Sequence, residues 1–114
     1  MATIEGWSLA LDVNEDDENN LPDSYCLHQC YPNPFNPSTQ IRYDLPCASN
    51  VQLSIYNIVG QEVRVLSRGQ QGAGHYQQEW DGCTETGQPV TSGLYFYRLQ
   101  ADDYVASKKM LLVK

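Results

Sequence analysis

Tyr31-Pro32-Asn33-Pro34-Phe35-Asn36-Pro37 holds three prolines in seven residues. Each proline fixes one φ angle, removes one amide donor, and biases the residue before it toward extended geometry. Neither a helix nor a central strand can contain such a segment. It reads as a stiff lead-in, with the rings of Tyr31 and Phe35 to anchor it, set directly before a strand-like run. Everything after it reads as one small β domain.

Downstream, the chain alternates with period two. Ile41, Tyr43 and Leu45 face one way, and Gln40, Arg42 and Asp44 the other, which predicts a half-buried strand closed by Pro46. Val51, Leu53 and Ile55 predict a second strand after the turn at 47–50. A third is expected over Gln61 to Leu66, after a turn at Asn57-Ile58-Val59-Gly60. Arg68 to Gly74, with three glycines, is expected to be a flexible loop. His75 to Trp80 alternates again, with Trp80 as the expected core anchor provided its indole N–H finds a partner. A long loop leads from Asp81-Gly82 to Gly93. Arg98 should face solvent, which turns Tyr95, Tyr97 and Leu99 inward. Asp102-Asp103 reads as a hairpin turn, and Tyr104 to Val113 as the closing strand, whose inward face is open because both parities carry apolar residues. Six or seven short strands at about ten-residue spacing, with no helical pattern, predict an all-β fold: an immunoglobulin-like β-sandwich of about seven antiparallel strands.

Working back from the lead-in, residues 1–23 hold seven acids and no base, whereas residues 24–114 hold seven of each. The net charge of −7 therefore lies entirely in the N-terminal segment. The chain is expected to divide into 1–23, an acidic linker or the tail of an upstream domain, and 24–114, the folded domain. A neutral domain without a basic patch gives no reason to expect nucleic-acid binding. No run of about 18 apolar residues is present, so no membrane span is expected, and the first residues lack the pattern of a signal peptide. Asp12, Asn14, Asp16, Glu18 and Asp23 fall at ligand positions of a calcium loop, but Asp17 stands where the loop needs glycine, and a plain linker is the better reading.

Cys26, Cys30, Cys47 and Cys83 are candidate disulfide partners. Cys47 and Cys83 both lie in expected loops and could meet. Reduced thiols filling small spaces are the alternative. Cys26-x-x-x-Cys30 with two scattered cysteines is a poor zinc signature, since structural sites pair cysteines closely on both sides. No metal set is read from the sequence.

Catalysis finds no footing either. His28 and His75 stand without a motif, and no nucleophile elbow, zinc-protease helix or phosphate-cradling loop occurs, so neither an active site nor a cofactor is expected. Asp81 is expected to cap the turn at Gly82 rather than act as a catalytic carboxylate. Tyr25, Tyr31, Phe35, Tyr56 and Tyr104 could stack on sugars, although such rings more often cover the edges of a core. Lys108, Lys109 and Lys114 flank an apolar end. They can be ordinary edge-strand protection or an address tag on a strand that accepts a partner.

Several ordered stretches resemble the type A C-terminal sorting domains of the type IX secretion system. They are Tyr31 to Thr39, Val51 to Val63, Trp80-Asp81-Gly82, Gly93 to Leu99, and the ending Lys108-Lys109-Met110-Leu111-Leu112-Val113-Lys114. The resemblance covers residues 25–114, and the immunoglobulin-like domain of flagellar hook-capping proteins is similar in architecture. It implies a non-catalytic domain that docks on the type IX secretion machinery and carries an upstream cargo domain across the periplasm and outer membrane to the cell surface. A sortase-like peptidase would then cut in the acidic linker. The recognition residues it implies are Gly93, Tyr95, Leu99, Lys109, Met110, Leu111, Leu112, Val113 and Lys114, with Tyr31, Pro32, Asn33, Pro34, Phe35, Asn36 and Pro37 as the lead-in motif. The cysteines depart from the pattern: Cys30 stands where asparagine is expected and Cys26 where alanine is. The other classes carried forward are a carbohydrate-binding or a structural Ig-like accessory module of a secreted multidomain enzyme.

Overall fold

A computed structural model of the chain describes residues 21–114. The calcium-loop positions other than Asp23, and most of the acidic segment, lie outside the described residues. Among the described residues, seven strands follow one another: β1 Cys26–Leu27, β2 Thr39–Leu45, β3 Ser49–Tyr56, β4 Glu62–Gln71, β5 Gly74–Trp80, β6 Gly93–Ala101 and β7 Tyr104–Leu112. All pairings between these strands are antiparallel. One sheet has the order β1-β2-β5 and the other β4-β3-β6-β7. The fold is the expected immunoglobulin-like β-sandwich, and among the described residues no helix is long and apolar enough to cross a membrane.

The inward face of each strand follows from its alternation. Ile41, Tyr43 and Leu45 on β2 meet Val51, Leu53 and Ile55 on β3 and Tyr95, Tyr97, Leu99 and Ala101 on β6. On β7 the inward residues are Met110 and Leu112, which resolves the parity that the sequence left open. Trp80 is fully buried, and its indole N–H donates to the Cys83 carbonyl at 2.9 Å. That bond removes the cost of sinking an unpaired donor.

Three features differ from the sequence expectation. First, β4 runs on to Gln71, so most of the predicted glycine loop is strand. β3 begins at Ser49, and pairing Val51 with Gly69 and Ser49 with Gln71 satisfies backbone groups that a loop would leave to water. Two irregularities, between Leu53 and Ser54 and between Ile55 and Tyr56, leave Leu66 and Val63 unpaired on β4. Both side chains pack against the core. Between β4 and β5 the chain crosses to the other sheet through Gly72-Ala73. Second, β1 is a short edge strand where none was predicted.

Third, all four cysteines are free thiols. Cys47 lies just before β3, at the end of the sandwich where Val51 pairs with Ala101, whereas Cys83 follows Gly82, beside Leu112 at the far end of β6. A nine-residue strand spans about 30 Å, beyond the reach of any disulfide. Cys26 is half-buried on β1, while Cys30 is turned into the core.

Candidate recognition surface

The lead-in motif is pinned at both ends. Tyr31 and Gln40 exchange two backbone hydrogen bonds at 3.0 Å, and the Thr39 hydroxyl donates to the Pro32 carbonyl at 2.7 Å. Upstream, the Tyr97 hydroxyl accepts from the Cys30 amide at 2.8 Å and donates to the His28 carbonyl at 2.7 Å. Burial, with the Cys30 thiol as a lesser cause, pushes the Tyr97 hydroxyl well above the ordinary tyrosine range. Phe35 is 2% exposed, with its ring 5.7 Å from Trp80, which in turn meets Tyr95 edge-on at 5.4 Å. Tyr31, expected to be a second anchor, is 78% exposed. Its neighbours Pro32, Asn33 and Pro34 are exposed, as are Asn36 and Pro37.

Between these pins the motif lies along the free edge of β7. The Phe35 amide donates to the Leu111 carbonyl, and the Val113 amide to the Phe35 carbonyl, each at 3.0 Å. This forms a short parallel bridge to Leu112. The Leu111 amide donates to Asn33 Oδ1 at 3.0 Å, and Gln29 Nε2 donates to the Lys109 carbonyl at 3.1 Å. Leu111 thus turns both backbone groups away from β6, and antiparallel alternation gives Val105, Ser107 and Lys109 the same direction. Among the described residues, nothing pairs with the backbone of Val105 and Ser107 or with the Lys109 amide. The rim of β7 is capped along its C-terminal third and open along the rest.

The residues singled out from the sequence divide by depth. Tyr95, Leu99, Met110 and Leu112 are core. Gly93 opens β6 opposite Leu112. Lys109, Leu111, Val113 and Lys114 are exposed. On the outer sheet face Leu94 stands opposite Leu111, Phe96 opposite Lys109, and Tyr56 opposite Phe96. Lysine and apolar side chains therefore share one strip beside the capped end of the rim. Trp80-Asp81-Gly82 closes the neighbouring end. Asp81 Oδ1 accepts from the Cys83 amide at 3.1 Å, the capping role expected of it, and pairs with Arg64 at 3.0 Å. Gly82 has φ +77°, and a Cβ there would stand 3.1 Å from the Pro37 carbonyl oxygen.

Of the rings considered for sugar stacking, Phe35 is buried, which removes it. Tyr25 and Tyr104 stack on each other with centroids 5.1 Å apart. Tyr31 and Tyr56 do not join them in one platform.

Sequence reasoning missed a second grouping, on the three-stranded sheet. His28 Nε2 lies 2.9 Å from Asp44 Oδ2, and His75 Nδ1 lies 2.9 Å from Asp44 Oδ1. Burial pushes the Asp44 carboxyl up, but the hydrogen bonds of His75 and His28 outweigh it and hold the group below the usual aspartate range. The available signal was the alternation itself: Cys26 and His28 are two apart, as are strand neighbours on one face.

A family model described as the FlgD Ig-like domain matches residues 37–104. The chain belongs to the FlgD Ig-like domain family. The match runs from the end of the lead-in motif to the start of β7, so this FlgD-type Ig-like domain shares with its family the body of the sandwich. Solved structures carry the likeness further along the chain. PorU from Porphyromonas gingivalis, in its dimeric latent form, matches 81% of this chain with a TM-score of 0.63 at 22% identity. PorZ of the same organism, described as an essential bacterial surface component of the type-IX secretion system, matches 87% with a TM-score of 0.53 at 13% identity. FlgD from P. aeruginosa matches 66% with a TM-score of 0.51 at 28% identity, covering 60% of that protein. This chain spans 10% of PorU and 12% of PorZ. No curated protein matches it.

Proposed function

We propose that this Ig-like domain is a non-catalytic C-terminal sorting signal of the type IX secretion system, read by protein–protein recognition at its terminal strand. The observation that carries the reading is β7 itself: an edge strand whose backbone rim is unpaired at Val105 and Ser107 and which continues into exposed Lys109, Leu111, Val113 and Lys114. An open edge can accept a partner strand, with main-chain bonds supplying affinity and alternate side chains supplying specificity. The fold likeness to PorU and PorZ supports the same setting. Residues 1–23 then form the linker to an upstream cargo domain, where a sortase-like peptidase would cut, and the cargo ends at the cell surface after crossing periplasm and outer membrane. Met110 and Leu112 act only by holding the strand in place.

Exposed and core residues can be tested apart. In a cargo fusion, replacing Lys109, Leu111, Val113 and Lys114 together by serine should leave the domain folded and trap the cargo in the periplasm. Deleting Lys109–Lys114 should trap it too, but by removing core residues as well. Normal export of the folded quadruple variant would overturn the reading.

A further inference from the structure

The outward row of the three-stranded sheet has no part in the sorting role and points to a different chemistry. Cys26 on β1 stands directly opposite Asp44 on β2, and Asp44 stands opposite His75 on β5. Just beyond β1, the His28 amide donates to the Arg42 carbonyl at 3.0 Å, which continues the ladder and sets the imidazole over Asp44. His28 then lies between the other two groups, with Nε2 2.9 Å from Asp44 Oδ2 and Nδ1 4.0 Å from Cys26 Sγ. One ligand atom each from Cys26, His28 and Asp44 lies within 4.8 Å of the others. Around a tetrahedral zinc ion, donor atoms stand about 3.3–3.6 Å apart given its bond lengths. Separations of up to 4.8 Å therefore need to close by about 1.2–1.5 Å, within reach of rotamer changes on half-buried side chains.

We propose that Cys26, His28 and Asp44 form a zinc site on the outer face of the three-stranded sheet, with His75 as a positioning residue. A thiolate, an imidazole and a carboxylate together suit zinc and disfavour calcium and magnesium, which take oxygen donors. His75 holds the second Asp44 oxygen at 2.9 Å, as outer partners of metal-bound carboxylates do. Among the described residues, only Cys26 of the four cysteines has such neighbours. Cys30 is buried, with its backbone amide bonded to Tyr97, and Cys47 and Cys83 lie at the two ends of the sandwich. The site does not depend on the sorting role.

The test is a titration of the full chain, kept reduced, with cobalt(II) and then zinc(II) alone. One equivalent of cobalt should give a thiolate-to-metal charge-transfer band and tetrahedral d–d bands, both displaced by zinc. C26S should abolish the charge-transfer band. H28Q and D44N should each weaken zinc binding by about tenfold or more, whereas C47S and C83S should leave it unchanged. H75Q should keep the charge-transfer band and shift the d–d bands. Should C26S fail to fold, H28Q decides, because that side chain is outside the core. A cobalt spectrum without a thiolate band, a band that survives C26S, or zinc affinity indifferent to H28Q would overturn the site, and unshifted d–d bands in H75Q would overturn the role given to His75.

Discussion

The Leu111 amide donates to Asn33 Oδ1 at 3.0 Å across 78 residues of sequence. The proline-braced segment and the last strand therefore hold each other. The lead-in is kept from fraying by β7, and β7 is given a partner along the part of its edge nearest the C-terminus. Without such contacts an edge strand of this kind would be prone to fray.

Asn33→Ala removes that acceptor. The Leu111 amide should then exchange with solvent markedly faster, while the Leu99 amide, inside the sheet, should keep its protection. The stability cost should be about 0.5–1.5 kcal/mol, the net worth of one hydrogen bond. Hydrogen exchange followed by NMR reads both quantities, and equal acceleration at Leu99 would mean the bond is not local in effect.

Phe35→Ala empties the space beside Trp80. A fully buried phenylalanine is worth about 3–5 kcal/mol when truncated. Urea denaturation should show a loss of that size, and Tyr31→Ala, at the exposed ring of the same motif, should change stability by about 0.5 kcal/mol or less. Comparable losses at both positions would contradict the placement of the two rings.

Gly82→Ala and Gly87→Ala separate two costs. Both glycines have positive φ, +77° and +87°, but a Cβ at Gly82 would stand 3.1 Å from the Pro37 carbonyl oxygen, whereas nothing lies within 4 Å of one at Gly87. Each should lose about 1–2 kcal/mol for the left-handed backbone. Only Gly82→Ala should lose more, because Pro37 and the lead-in must shift. Matched thermal melts of the two variants give the comparison directly.

Tyr97→Phe strands the Cys30 amide and the His28 carbonyl, and should cost about 1–3 kcal/mol at neutral pH. The pH dependence follows from the raised pKa of the hydroxyl. In the unfolded chain it ionises near pH 10, whereas in the folded protein burial holds it protonated to higher pH. Its contribution is thus complete below about pH 10 and is lost as pH rises beyond that. The stability gap between the native chain and Tyr97→Phe should be constant from pH 6 to 9 and narrow above about pH 10. A gap that widens with alkali would have the wrong sign.

How the chain is built was largely open to reading from residue order. Alternation on Thr39–Leu45, Val51–Ile55 and Gly93–Leu99 is a local property, because a strand with one dry face must alternate. Proline chemistry, the capping aspartate at Asp81 and the burial of Trp80 are local as well. Those features were sufficient for an all-β sandwich and for its inward residues on β2, β3 and β6. The extent of β4 was not legible, since its glycines match a loop as well as an edge strand, and the choice depends on how far β3 extends to receive it.

Residue order also placed a lysine-flanked apolar ribbon in the last strand, but it could not say which of those side chains stay exposed. That depended on the pairing of β7 with β6 and on Asn33 and Phe35 closing over its last residues, contacts made across most of the chain. The same holds for Cys26, His28, Asp44 and His75. They come from three separate stretches, and only the register of β1 and β5 against β2 brings them side by side. Periodicity is dictated by neighbours in the chain, whereas proximity between distant residues is dictated by which strands pair and where they align.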